Sequence, residues 1–144
     1  MTTTFNLISK QVVGAASVSG ITFSNIPQTY TDLKLIISMR EETGTAWTFN
    51  VRVNNDSSSV YSYKMLQGNG TAISSANGSA GSLADFIGES SGATASIFSN
   101  TELYFPNYTS AINKSFSSDS VGENNNALSY VRLTANTWAS TSAI

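Results

Sequence analysis

The side chains best suited to acid–base chemistry in this sequence are nine carboxylates: Asp32, Glu41, Glu42, Asp56, Asp85, Glu89, Glu102, Asp119 and Glu123. A glycosidase needs only two such groups, one with a raised pKa. Nine scattered acids always bring some pair together, and their spacing singles out none. Glu41 and Glu42 fall at the tip of an expected hairpin and read as a solvated turn. The chain has no histidine and no cysteine. Ser-His-Asp and Cys-His machinery and His- or Cys-ligated zinc are thereby excluded. The string GNGTAI at Gly68 lacks the lysine and the following helix of a phosphate loop. The expectation is a protein that is not an enzyme, with no catalytic residue, no cofactor and no metal.

Two acidic-amide clusters invite comparison with calcium sites: Asn54, Asn55 and Asp56, and Glu123 with Asn124 to Asn126. Calcium takes 6–8 oxygen ligands, several of them carboxylates. Each cluster offers one carboxylate, so turn formation explains both better. Asn-x-Ser/Thr triplets start at Asn55, Asn69, Asn77, Asn107 and Asn113, at a frequency that this Asn-, Ser- and Thr-rich composition produces by chance.

Aromatic residues could form a stacking platform for sugar or protein: Trp47, Trp138, Tyr61, Tyr63, Tyr104, Tyr108 and Tyr130. Trp47 lies on the apolar stripe of its strand and reads as core. Tyr61 and Tyr63 share one strand face, in the core or at an interface. Tyr108, in FPNYTS beside a turn, is expected to be the most exposed. Tyr108, Tyr61 and Tyr63 are therefore the candidate contact residues, against a background in which most aromatics simply pack.

Length and composition limit the partners. The chain has 144 residues, enough for one domain with one core. Only 11% of residues are charged, against roughly 25% in a typical globular domain, so the surface is polar and nearly neutral. Net charge is −2, and Lys10, Lys34, Arg40, Arg52, Lys64, Lys114 and Arg132 never cluster. A nucleic-acid binder needs a basic stripe, so no nucleic acid is expected. No basic amphipathic helix, no apolar run near ~20 residues and no signal-peptide pattern occurs, so no membrane role is expected.

What must position any site is a set of strands. Residues 46–54 alternate: Trp47, Phe49, Val51 and Val53 on one side, Thr48, Asn50, Arg52 and Asn54 on the other. Similar patterns predict strands over residues 5–13, 17–24, 32–40, 60–66, 97–105, 112–118 and 128–133. Residues 83–87 form a short apolar piece of open type. Residues 54–59, 88–96 and 122–126 read as loops. No stretch offers a helix of ten residues. The fold class is all-β: an antiparallel jelly-roll-like or Ig-like β-sandwich of about 7–9 strands. Residues 1–144 form a single domain, with residues 1–6 as an N-terminal arm and the glycine-rich residues 67–82 as a long flexible loop. Residues 138–144 read as the approach to a further strand: either the fold closes early, or another chain completes the edge, or the chain is a shortened one.

Three stretches carry a resemblance: ITFSNIPQTYTDLKLIISMR from Ile21, TELYFPNYTSAINKSFSSDSVGENN from Thr101, and the following TANTWASTSAI. Together they resemble a family of small virion-associated β-sandwich structural proteins of tailed bacteriophages. Members often continue with a further strand or two ending in an aromatic-glycine pair, which this chain lacks. The resemblance implies a virion protein assembled in the bacterial host cytoplasm. It implies a capsid decoration, or cement, protein bound to the major capsid protein, or a tail or fibre component contacting a receptor or neighbouring virion proteins. It also implies a homo-oligomer, with three copies common. Residues 1–6 and 67–82 are the segments expected to lie across capsid subunits. A carbohydrate-binding module is the non-viral alternative, and it predicts a row of exposed aromatics.

Overall fold

The alternation of apolar residues becomes strand wherever a second backbone lies within reach. In a computed structural model, which describes residues 5–14, 16–42, 48–81, 84–125 and 129–144, eight strands form two antiparallel layers. They are β1 (Leu33–Met39), β2 (Thr48–Val51), β3 (Tyr61–Gly68), β4 (Ile73–Gly81), β5 (Ala84–Ile87), β6 (Ser99–Phe105), β7 (Lys114–Gly122) and β8 (Tyr130–Trp138). The larger layer has the order β1-β6-β7-β8-β3-β4. The smaller is the pair β2-β5, and β5 packs across β7 and β8 and touches β3 and β6. The fold is thus all-β and sandwich-like, in unequal layers of six strands and two.

The core sits between the layers. Leu33, Leu35, Ile37 and Met39 turn inward from β1, and Leu103 and Phe105 from β6. Phe116 stacks on Phe105 with ring centroids 4.4 Å apart. Phe49 and Val51 of β2 close over them, and Phe49 stacks on Phe86 of β5. Gly88 has to be glycine: a Cβ there would lie 1.7 Å from the Phe49 ring. A single 3-10 turn, Val53–Asn55, follows β2 and buries Val53, whose N–H donates to the Tyr61 hydroxyl at 2.9 Å.

Three expectations are corrected. Residues 5–14 and 16–24 enter no strand, although their composition predicts two. A segment becomes a strand only by pairing in a sheet, and among the described residues no strand pairs with these two. Residues 67–82 are not a flexible loop: Ile73–Gly81 is strand β4, paired with β3 along its length. The turn between them is set by Asn69, whose Oδ1 accepts from the Thr71 N–H, the Thr71 hydroxyl and the Ala72 N–H at 3.1, 3.0 and 2.8 Å. Gly70, at φ +84°, supplies the left-handed residue the turn needs. Finally, Trp138 ends β8, and residues 139–144 form an irregular tail and not another strand. That tail is tied down by Ala139 N–H to Val60 O and Ile144 N–H to Tyr108 O.

Candidate binding face

On β8, and in part on β7, the inner and outer faces are populated against the usual rule. Strand β8 turns Arg132, Thr134, Asn136 and Trp138 inward, and Val131, Leu133 and Ala135 outward. Strand β7 turns Lys114, Phe116, Ser118 and Ser120 inward and Val121 outward. The inward polar groups find partners in part. Arg132 donates to Gln67 Oε1 from Nε and Nη2, at 3.0 and 2.8 Å. Thr101 donates its hydroxyl to Ile87 O at 3.1 Å, and Ser99 to Met39 O at 3.0 Å. At one end Glu89 is buried and accepts from Asn124 Nδ2 at 2.7 Å. Gly122 makes room for it, because a Cβ there would lie 2.2 Å from Glu89 Oε1.

The outward apolar residues form one patch. Registers place Leu66 opposite Leu133, Val131 opposite both Gly68 and Val121, and Ile73 opposite Gly68. Ile73, Leu66, Val131, Leu133 and Val121 therefore run across β4, β3, β8 and β7 on one face. Ile73 is 81% exposed and Leu133 54%. Exposed apolar surface that is contiguous, and not scattered singly, marks interaction sites. Charges rim it: Lys64 stands beside Leu66 on β3, Asp119 pairs across from Leu133, and Glu102 next to Asp119 holds Lys34 at 2.7 Å. A shallow open depression lies here, lined by Leu66, Leu133, Ala135, Lys64 and Asp119. The depression is open to solvent along the face.

The residues nominated from sequence lie elsewhere. Tyr108, expected to be exposed, is 0% exposed, and its hydroxyl donates to Pro27 O. The cause is the turn after β6, which folds the ring under residues 26–28 and the C-terminal tail. Tyr61 is core, and Tyr63 is half-buried, its ring close against Gly78. Trp138 is buried too, while Trp47 lies outside the described residues. The structure does not bring the tyrosine candidates together into a surface. The face that sequence reading passed over was signalled by Val131 and Leu133 falling opposite Tyr130, a pattern that leaves the inward side unassigned.

Asp56, Asp32 and Arg40 are each held by several hydrogen bonds. Asp56 accepts from Trp138 Nε1 at 2.8 Å and from the Ser58 hydroxyl and N–H. The Ser58 hydroxyl first, and then the Trp138 N–H, hold its carboxyl below the usual range. Asp32 is lowered in the same way by the Tyr104 hydroxyl and the Asn107 N–H. Among the described residues no group of three or more metal-ligating side chains forms. Arg40 donates to four carbonyls, of Thr94, Ile97, Ser91 and Ala93, at 2.8 to 3.1 Å. The loop between β5 and β6 is thus wound round one guanidinium. Lysine has three donors on a single atom and cannot span this arc. Arg40→Lys is expected to lower stability by about 1–2 kcal/mol and to speed amide exchange between residues 90 and 97 selectively. Amide exchange read by mass spectrometry checks it, and uniform loss of protection would count against this account.

Comparison with protein-family models, curated proteins and solved structures finds no match for this chain. The functional reading therefore rests on the residues and the geometry above.

Proposed function

We propose that this chain is a structural protein of a tailed-bacteriophage virion, acting as a head decoration protein that binds the capsid shell and stabilises it. The observation that carries the binding role is the apolar patch turned outward on β3, β4, β7 and β8. A domain stabilised only by its own core has no reason to direct β8's valine and leucine to solvent and its arginine and asparagine inward. The phage assignment itself comes from the sequence resemblance. The reading is one of adhesion, not catalysis.

Two observations favour a protein partner. Four of the seven basic residues are engaged within the chain: Lys34 by Glu102, Arg40 and Lys114 by carbonyls, and Arg132 by Gln67. That leaves no basic stripe for phosphates. The aromatics a sugar-binding module would display are mostly turned inward, which weighs against that alternative. A tail or fibre position, with the same face against another virion protein, remains the competing location within this reading.

The test is imaging of intact virions carrying a labelled copy, together with co-sedimentation on purified heads. Label in a regular lattice over the head supports decoration. Label confined to the tail moves the protein there, and label nowhere on the particle removes the phage reading. Leu133→Glu, an exposed change, is expected to leave the melting temperature nearly unchanged and to weaken head binding at least tenfold. Undiminished binding would mean that another surface is used.

A further inference from the structure

The outward face accounts for one partner, but two other features remain unused. The first is the N-terminal segment, which lies outside both sheets. Residues 5–14 are all exposed, Leu7 at 82%, and they carry Phe5, Leu7, Ile8, Val12 and Val13. Such β-branched and aromatic composition suits a strand, yet the segment joins no sheet. The second is the free edge of β4. This strand has nine residues, ISSANGSAG, with neither charge nor proline. Those are the usual devices by which edges avoid pairing. Apart from Ile73 and Asn77 its side chains are small, and among the described residues no strand pairs with its outer edge.

We propose that residues 5–13 of one copy of this chain pair as an added strand along the free edge of β4 on a second copy. The lengths match, nine residues against nine. The bulge between Tyr61 and Tyr63, with Ala80 at φ 55°, perturbs only the far end of β4 and leaves the stretch from Ile73 to Gly78 regular.

Geometry favours a second copy over self-pairing. The Phe5 ring sits 5.2 Å from Lys34 Nζ, which places the start of the segment beside β1. β1 and β4 are opposite edges of the six-stranded sheet, about 24 Å apart at the usual strand spacing. A donor at one edge and an acceptor at the other give a head-to-tail contact, which closes into a ring when the rotation permits. Backbone hydrogen bonds supply the affinity, and alternate side chains beside Ile73 extend the apolar face already described. The inference deepens the oligomeric part of the proposed function by naming both surfaces. It is tested on the purified chain alone, so its outcome does not depend on where the protein sits in a virion.

The absence of cysteine makes the experiment clean. Single variants Leu7→Cys, Ile8→Cys and Lys10→Cys, carrying a mass tag, are each mixed with untagged Ser75→Cys or Asn77→Cys and mildly oxidised. The expected product is a mixed disulfide between tagged and untagged chains for at least one pair. In parallel, light scattering should give a multiple of 15.2 kDa for the full chain. A chain lacking residues 1–13 should be monomeric with an unchanged circular dichroism spectrum, and Ile8→Pro, which removes one N–H, should weaken assembly without unfolding. A full chain monomeric up to 200 μM overturns the proposal. So does assembly that survives the deletion, or a Leu7→Cys/Ser75→Cys double variant that closes only within one chain.

Discussion

Lys114→Ala is expected to lower unfolding free energy by about 3–5 kcal/mol, the sum of two or three buried acceptors left unsatisfied at ~1–3 kcal/mol each, softened by relaxation. Lys114 is 2% exposed. Its ammonium has three N–H groups and spends them on Ser110 O, Ile112 O and Ser142 O at 2.6, 2.7 and 2.9 Å. One charge thus joins the start of β7, the turn before it and the C-terminal tail. Burial lowers the lysine's pKa from its ordinary value. Lys114→Met keeps the aliphatic stem and removes the donors, so it should recover only the packing share of the loss. Urea midpoints at constant slope make the comparison. If Met restores most of the stability, the carbonyl contacts are not what holds the tail.

Trp138→Ala is expected to cost about 3–5 kcal/mol, the usual range for emptying a buried aromatic site. Trp138 is fully enclosed at the end of β8, within the cluster that contains Tyr61, Phe116 and Tyr108. Trp138→Phe should cost less, losing the N–H to Asp56 and part of the volume. The same bond predicts an acid dependence. Asp56 and Asp32 both have folded pKa values below the unfolded one. Their contribution is therefore complete above about pH 4, the unfolded carboxylate value, and is lost as pH falls through the lowered folded values. Asp56→Asn should flatten the fall in melting temperature below pH 4 and lower stability at pH 7. An acid limb unchanged in Asp56→Asn would assign it to other carboxylates.

The fold class was legible where alternation involved large residues. Leu33, Leu35, Ile37 and Met39 of β1 announce a half-buried strand, and so do Phe49 and Val51 of β2. Strand β4 was hidden because Ser, Ala, Asn and Gly carry no hydrophobic period, and its pairing with β3 overrides composition. Residues 5–13 erred in the opposite sense, since propensity is local while pairing is not. The candidate site was less legible than the fold. A sequence can say that Val131 and Leu133 share a side, but not that the second layer lies over Arg132 and Thr134. Tyr108 was misjudged because its covering comes from residues 26–28 and the tail, remote in sequence and brought in by the fold alone.

The strand order has a kinetic consequence. β3 pairs with β8, and β1 with β6, so the two flanks of the large sheet are made from early segments held by late ones. During synthesis the β3-β4 hairpin has nothing to dock on until residue 138 has emerged, and β1 waits for residues 99–105. Joining of these flanks to the centre of the sheet therefore waits for β6 and β8, and it requires long loops to close first, which slows folding. Until then the nascent chain presents bare strand edges to its neighbours.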